Sequence, residues 1–321
     1  MEDEEESLAK SPVHSVPSSP CDGPVRCGFV AIIGAPNAGK STLVNQLVGA
    51  KVSIVSRKVQ TTRMMVRGLV VVNNSQIVLV DTPGIFKPQK RLDRAMVQAA
   101  WSGASDADYI VVLIDALRGV DEDVARIITR LKETDIPLML ALNKVDQISN
   151  KAQMLPLVEE VARELEFQQT FMLSALNGDG VEALRNTLAG QMPEGPWHFP
   201  SDDISDLPMR LLAAEITREK IYDRLHQELP YAITVETGQW QDFKNKSVRI
   251  EQTIFVEQES QKKIVIGKGG QTIKAISAQA RAELADIIGH PVHLFLFVKV
   301  RRNWADDPER YRELGLEFPE S

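Results

Sequence analysis

Gly34-Ala35-Pro36-Asn37-Ala38-Gly39-Lys40-Ser41 follows the apolar run Phe29–Ile33 and leads into a helical pattern near Lys40–Val48. Strand, glycine-bearing loop and helix in that order form a phosphate cradle, because the loop's N–H groups and the positive end of the helix converge on an anion. Gly39 permits close backbone approach, Lys40 reaches the β- and γ-phosphates, and the Ser41 hydroxyl can ligate Mg²⁺, with Thr42 beside it. An isolated match of this kind also arises as an incidental turn. The other motifs of the chain decide between the two.

Four of them occur. Asp81-Thr82-Pro83-Gly84 comes after the strand pattern Ile77–Val80, where Asp81 can hold Mg²⁺ through water and the Gly84 N–H can touch a γ-phosphate. Gln60-Thr61-Thr62-Arg63 lies in a loop between helix and strand, and either Thr61 or Thr62 can complete the Mg²⁺ shell. Asn143-Lys144-Val145-Asp146 ends the apolar run Leu138–Leu142. Its Asp146 carboxylate can accept hydrogen bonds from N1–H and the 2-amino group of guanine. Adenine has neither donor and would leave the carboxylate unpaired, at a cost of roughly 1–3 kcal/mol. Ser174-Ala175-Leu176, after the weaker strand Thr170–Leu173, can offer a backbone N–H to guanine O6. Five motifs in this order, each at a strand end, predict a GTPase that binds GTP or GDP with Mg²⁺.

Hydrolysis is expected to be slow. Ile85 stands after Gly84, where Ras-type enzymes supply a glutamine that orients water, and an isoleucine cannot do this. Lys40 and backbone donors are left to stabilise the reaction, with no side-chain base identified. Asn37 resembles the phosphate-loop asparagine of GTPases that use K⁺ as an activating charge, which makes it a K⁺ ligand candidate beside the plainer reading of a loop-stabilising residue.

The first two-thirds of the chain alternates strand and helix signals, with strands at Phe29–Ile33, Leu69–Val72, Gln76–Val80, Tyr109–Asp115, Leu138–Leu142 and Thr170–Leu173. Helical patterns fall near Lys40–Val48, Asp93–Trp101, Asp121–Thr134 and Val181–Gln191. Such alternation implies an α/β fold with a mainly parallel sheet and helices on both faces. This P-loop GTPase domain is expected over residues 27–191. Residues 192–208, with Pro193, Pro196, Pro200 and Pro208, read as a linker. Beyond it, over residues 209–321, an α+β pattern begins. Its expected elements are a helix at Leu211–Leu225, strands at Ala232–Thr237 and Ser247–Val256, a short segment Ile264–Ile266, a helix at Thr272–Ile287 and a strand at Val292–Val300.

The 321 residues suit about two domains, and an apolar fraction of 43% allows each its own core. No run approaches the roughly 18 apolar residues of a membrane span. Two cysteines, Cys21 and Cys27, make neither a disulfide framework nor a zinc pattern, which fits a reducing cytoplasm. The net charge of −7 is unevenly placed. Glu2-Asp3-Glu4-Glu5-Glu6 and the Ser/Pro-rich stretch behind it lack apolar periodicity, so residues 1–26 are expected to be a disordered acidic extension. Between Ser260 and Arg302, by contrast, eight basic residues face only Glu283 and Asp286.

That basic stretch holds a second loop, Gly267-Lys268-Gly269-Gly270, between Lys262-Lys263-Ile264-Val265-Ile266 and a helix bearing Lys274 and Arg281. A GXXG loop of this kind clamps about four nucleotides, since nothing beyond backbone obstructs the sugar–phosphate chain. Lys262, Lys263, Ile266, Gly267, Lys268, Gly269, Gly270, Lys274 and Arg281 are therefore the RNA-binding candidates. In the strand Val292–Val300, Phe295 and Phe297 share a face with His293 and Lys299, a face that can stack bases or, more plainly, pack on a helix. Trp304 is open to either reading.

With these residues in view, the chain resembles the Era family, bacterial GTPases that carry a C-terminal type II KH domain. The resemblance runs from about Cys27 to the C-terminus, most specifically in Ser56–Arg63, Asp81–Gly84, Glu228-Leu229-Pro230-Tyr231, Gln261–Gly267 and Pro291–Leu294. It implies single-stranded 16S rRNA near its 3′ end as partner, a role in 30S subunit maturation, no DNA target, and peripheral association with the cytoplasmic face of the membrane. Three other readings compete: a GTPase whose C-terminal module binds protein, a non-hydrolysing RNA-binding scaffold, and a membrane-surface switch. No lipidation motif or strongly basic amphipathic helix supports the last.

Overall fold

The computed structural model describes residues 23–58, 60–225, 229–302 and 304–319. The acidic head up to residue 22 and Glu228 lie outside them. Six strands form the first sheet: β1 (Arg26–Ile33), β2 (Val66–Val72), β3 (Ser75–Asp81), β4 (Tyr109–Asp115), β5 (Leu138–Asn143) and β6 (Gln169–Met172). Their order is β2-β3-β1-β4-β5-β6, parallel except for β2, which joins β3 as an antiparallel hairpin.

Alternation along each strand explains why both faces are covered. In β1, Val30 and Ile32 point into a core shared with α1 (Lys40–Val48) and α5 (Val181–Gln191). Ala31 and Ile33 point into the opposite core, against α2 (Arg91–Ser105), α3 (Glu122–Leu131) and α4 (Leu155–Ala162). The sequence reading has no counterpart for α4. The apolar residues within and beside it, Met154, Leu157, Val158, Val161 and Leu165, keep helical spacing, but Pro156 masks the signal. A proline is tolerated in the first turn, where no N–H partner is needed.

The linker is not a free tether. Leu69 N–H donates to the Ile204 carbonyl (3.0 Å), Trp197 Nε1 to the Asn74 carbonyl (3.1 Å), and Gln76 Oε1 accepts from the N–H groups of His198 and Phe199. Met192 is fully buried. Residues 192–208 are thus strapped along the β2–β3 side of the G domain. At the other terminus, Val25 already bonds through its carbonyl to the Gly195 N–H, and β1 starts at Arg26.

The second module runs α6 (Met209–Arg224), β7 (Ile233–Asp242), β8 (Val248–Val256), α7 (Glu259–Ile266), α8 (Gln271–Ile288), β9 (Val292–Val300) and α9 (Pro308–Glu313). Its sheet has the order β7-β8-β9, with β8 antiparallel to β7 and parallel to β9. Ile264–Ile266 is the last turn of α7, not a separate segment. The β-branched run is overridden by a capping box between Gln258 and Gln261 and by Val265, which is buried in the core. The short α9 also has no counterpart in the sequence reading. Asp307 caps it and Pro308 opens it.

Candidate functional site

The phosphate loop emerges from β1 between β3 and β4. Gly39 has φ +99°, and a Cβ there would lie 2.3 Å from Asn143 Nδ2, so only glycine lets the loop pass under the β5 end. Lys40 is buried, and its Nζ donates to the carbonyls of Gly34 and Ala35 (3.0 Å each). Burial lowers its ammonium to about 8, opposed by the charge of Asp81. A buried lysine folded back on its own loop's carbonyls is poised to exchange them for phosphate oxygens.

The Mg²⁺ candidates converge. Ser41 Oγ and Thr62 Oγ1 are 2.8 Å apart, and Thr62 is buried. Asp81 is fully buried, accepts from Ser53 Oγ at Oδ2 (2.6 Å), and leaves Oδ1 with no hydrogen-bond partner. Burial raises its carboxyl, and the Ser53 bond only partly offsets this. An unpartnered buried carboxylate oxygen beside two hydroxyls suits a hard divalent cation. Thr61 is placed differently: its hydroxyl donates to the Lys58 carbonyl (2.8 Å) and its own carbonyl accepts from Arg218 Nη2 (2.6 Å). Pro36, Asn37, Thr42 and Gly84 line the same cleft, and Asn37 Nδ2 donates to the Arg57 carbonyl (3.1 Å).

At the guanine end, Asn143 proves to be a brace. Its Nδ2 donates to the Ala38 carbonyl (2.7 Å) and its Oδ1 accepts from Ala175 N–H (2.9 Å), tying the phosphate loop to the Ser174–Leu176 turn. Lys144, left-handed at φ 67°, donates from Nζ to Asp115 (2.6 Å). Asp146 is exposed and Leu176 stands 72% exposed, so carboxylate and apolar cover are both free for a base, while Ser174 is buried beneath them. Ile85 is buried among core residues.

The GXXG loop joins α7 to α8. Gly267 has φ +74°, and a Cβ would lie 2.2 Å from Thr272 Oγ1. Lys268 and Gly269 are exposed, with Lys263, Lys274 and Arg281 exposed on the flanking helices and Lys262, Ile266 and Gly270 half-buried. The sequence reading passed over Ile264, the exposed apolar residue of this group at 54%. Trp304 is structural: it is buried, donates from Nε1 to the Ala232 carbonyl (3.0 Å), and lies 5.5 Å from the Arg63 guanidinium. The aromatic pair of β9 does not pack on a helix. Phe295 and Phe297 are 44% and 49% exposed, and the Val/Leu face packs inward instead.

A protein family described as "50S ribosome-binding GTPase" matches residues 29–144, and a KH-domain family matches residues 228–305. GTPase Era of Afipia carboxidovorans is 64% identical over 296 residues, 92% of this chain and 96% of that protein. GTPase Era of Rhizobium meliloti is 62% identical over 92% of this chain and 94% of its own length. This chain belongs to the Era family of GTPases. A crystal structure of Era in complex with MgGDPNP and nucleotides 1506–1542 of 16S ribosomal RNA matches with a TM-score of 0.86 at 41% identity, covering 91% of this chain and 99% of that one. A variant of Aquifex aeolicus Era bound to GDP·AlF₄⁻ aligns equally well. The chain is therefore a GTP-binding and GTP-hydrolysing enzyme with the Era architecture of an α/β P-loop domain followed by a KH domain.

The Era G and KH domains meet at the threonine loop, which sequence reasoning did not foresee. Arg63, in the Gln60–Arg63 motif, is buried in the KH side and donates to the carbonyls of Ile233 (2.8 Å) and Tyr231 (3.1 Å) and to Tyr222 Oη (3.1 Å). Lys58 donates to the Leu225 carbonyl (2.6 Å), and Val55 N–H to Glu219 (2.8 Å). Lys51 pairs with both Glu219 and Glu283. Among the described residues, no helix is long and apolar enough to cross a membrane.

Proposed function

We propose that the protein is a GTP-dependent switch that grips single-stranded 16S rRNA near its 3′ end and assists 30S subunit maturation in the cytoplasm. The observation that carries this reading is Arg218 of α6 holding the Thr61 carbonyl at 2.6 Å, one residue from the hydroxyl that meets Ser41. The loop that senses Mg²⁺ and the γ-phosphate is thereby joined to the root of the RNA module. In this reading residues 34–42 and Gly84 hold the phosphates, and Ser41, Thr62 and Asp81 hold Mg²⁺, which supplies charge neutralisation when bound. Asp146, Ala175 and Leu176 receive the base on the frame of Asn143, Lys144 and Ser174. Lys262, Lys263, Ile266, residues 267–270, Lys274 and Arg281 contact the RNA. The G domain spans residues 27–191 and the KH domain residues 209–321.

Drawing Thr62 toward the metal moves the Thr61 carbonyl that Arg218 holds, so the two nucleotide states favour different seatings of α6. A nucleotide shifts that balance only by binding one seating more tightly. The test is RNA affinity measured with a non-hydrolysable GTP analogue and with GDP. Equal affinities would reject the coupling. Lys268→Asp with Gly269→Asp should abolish RNA binding and spare GTP binding.

K⁺ activation through Asn37, which lines the phosphate cleft, belongs to the same proposal. Equal hydrolysis rates in K⁺ and Na⁺ would dismiss it. Peripheral membrane contact rests on the family resemblance alone, and co-sedimentation with anionic vesicles tests it.

A further inference from the structure

The KH sheet has one face packed against helices and one face that is exposed along β9. Val292 and Leu294 of β9 are buried against α6 and α8, with Leu296 and Val298 packed beside them. The opposite face carries Phe295 and Phe297, 44% and 49% exposed, while its β7–β8 end is met by α9, whose Arg310 lies 5.6 Å from the Phe255 ring and pairs with Glu236. Register sets Phe297 across from Thr253, Phe295 across from Glu251, and Lys299 across from Phe255 of β8. Cations are interleaved with the rings. The Arg249 guanidinium sits 4.8 Å from the Phe295 ring centre, and that of Arg301 sits 5.9 Å from Phe255. Glu251 is neutralised by Arg249 at 2.5 Å.

We propose that the exposed Phe295–Phe297 part of this face stacks bases of single-stranded RNA that adjoins the segment held by the GXXG loop. The inference rests on the RNA-binding reading of that loop and extends it to a second surface. Single exposed apolar residues need no explanation. Here, however, the outward positions of β8 and β9 hold three phenylalanines and include no Val, Ile, Leu or Met. Protein-docking cores are apolar and depleted of charge. Aromatic rings among cations on an open sheet are the arrangement by which sheets stack bases and hold the phosphates between them. Phe295 and Phe297, two residues apart, stand about 6.6 Å apart along the strand. That is about twice the roughly 3.4 Å rise of stacked nucleotides, so the spacing suits a splayed, extended strand.

The position is continuous with the first grip. β9 is an edge strand, and α7 and α8, which hold the GXXG loop between them, both pack on it. RNA leaving the loop meets that edge and can pass over it onto the aromatic face.

The experiment uses the full chain and three labelled RNAs: about four nucleotides that fill the GXXG clamp, and the same sequence extended by about six at either end. Extended RNA should bind native protein more tightly than the short one for at least one end. Phe295→Ala with Phe297→Ala should weaken that extended RNA about tenfold or more and leave the short one unchanged. The double Phe→Tyr variant should bind as native does. Phe297→Leu keeps apolar area without the ring and should lose affinity, whereas full retention would mark a protein-docking patch and overturn the proposal. Equal weakening of short and extended RNA would also overturn it, as would extended RNAs that bind native protein no better than the short one. Native protein that binds no RNA of any length would remove the GXXG reading, and this inference with it.

Discussion

Thr61 and Thr62 are neighbours with opposite surroundings, and the difference divides their roles. Thr62 meets Ser41 in a buried pocket, while the Thr61 hydroxyl turns to the Lys58 carbonyl. Thr62→Ala should weaken Mg²⁺-dependent binding of a GTP analogue by roughly tenfold while barely changing GDP binding, since one hydroxyl contact is worth about 1 kcal/mol or a little more. Thr61→Ala should do much less, and titration of fluorescent nucleotides compares them. Asp146 permits a sharper test. An amide in place of its carboxylate donates where guanine also donates, so Asp146→Asn should lose roughly 1–3 kcal/mol of GTP affinity. Xanthine presents a carbonyl there instead, and xanthosine triphosphate should become the preferred nucleotide. Competition between the two nucleotides measures the switch.

At the scale of elements, the threonine loop and α6 act as one joint. Arg63 places a buried guanidinium against two carbonyls and a tyrosine hydroxyl of the KH side. Arg63→Ala leaves those acceptors without their donor and should cost roughly 3 kcal/mol of stability, read by denaturant melts. It should also reduce any difference in RNA affinity between nucleotide states. The Lys51–Glu283 and Lys220–Glu283 pairs tie the same region together. Burial alone would raise the Glu283 carboxyl, but hydrogen bonds from Lys220 and Lys51 outweigh it and hold the group below its usual range. A lowered carboxylate stabilises the fold above its unfolded value of about 4.3, and that stabilisation is lost as pH falls through the folded value. Glu283→Gln should therefore be less stable than native at pH 7, and the gap should close in melts run below about pH 4.

Across the whole molecule, the nucleotide domain and the proposed RNA module share a boundary formed by partly buried ion pairs and main-chain bonds. RNA held by lysines and arginines releases counterions, so affinity should fall steeply with salt. Lys268→Gln should lower the slope of log affinity against log salt by about one, whereas nucleotide affinity should stay constant across the same series. Filter binding at four or five salt concentrations gives both numbers.

The nucleotide site was legible because its function depends on local chemistry. Gly39, Lys40, Ser41, Asp81 and Asp146 have identities dictated by a phosphate, a metal and a base, and each sits at a strand end that apolar runs such as Leu138–Leu142 announce. The GXXG loop was legible in its glycines, of which Gly267 sits where a Cβ would strike Thr272. Elements whose local signal was mixed were lost: α4 behind Pro156, α7 behind a β-branched run, and the short α9. Contacts across the domain boundary were beyond reach in principle. Arg63 meets Ile233, and Arg218 meets Thr61, over separations of 170 and 157 residues. Sequence determined the chemistry of the two candidate sites, a phosphate cradle with a carboxylate for a base and a glycine loop among cations. Tertiary structure alone decided that the two domains meet at the threonine loop, which threonine hydroxyl faces Ser41, and which side of the last sheet leaves its rings exposed, because those outcomes depend on packing between segments that no local pattern connects.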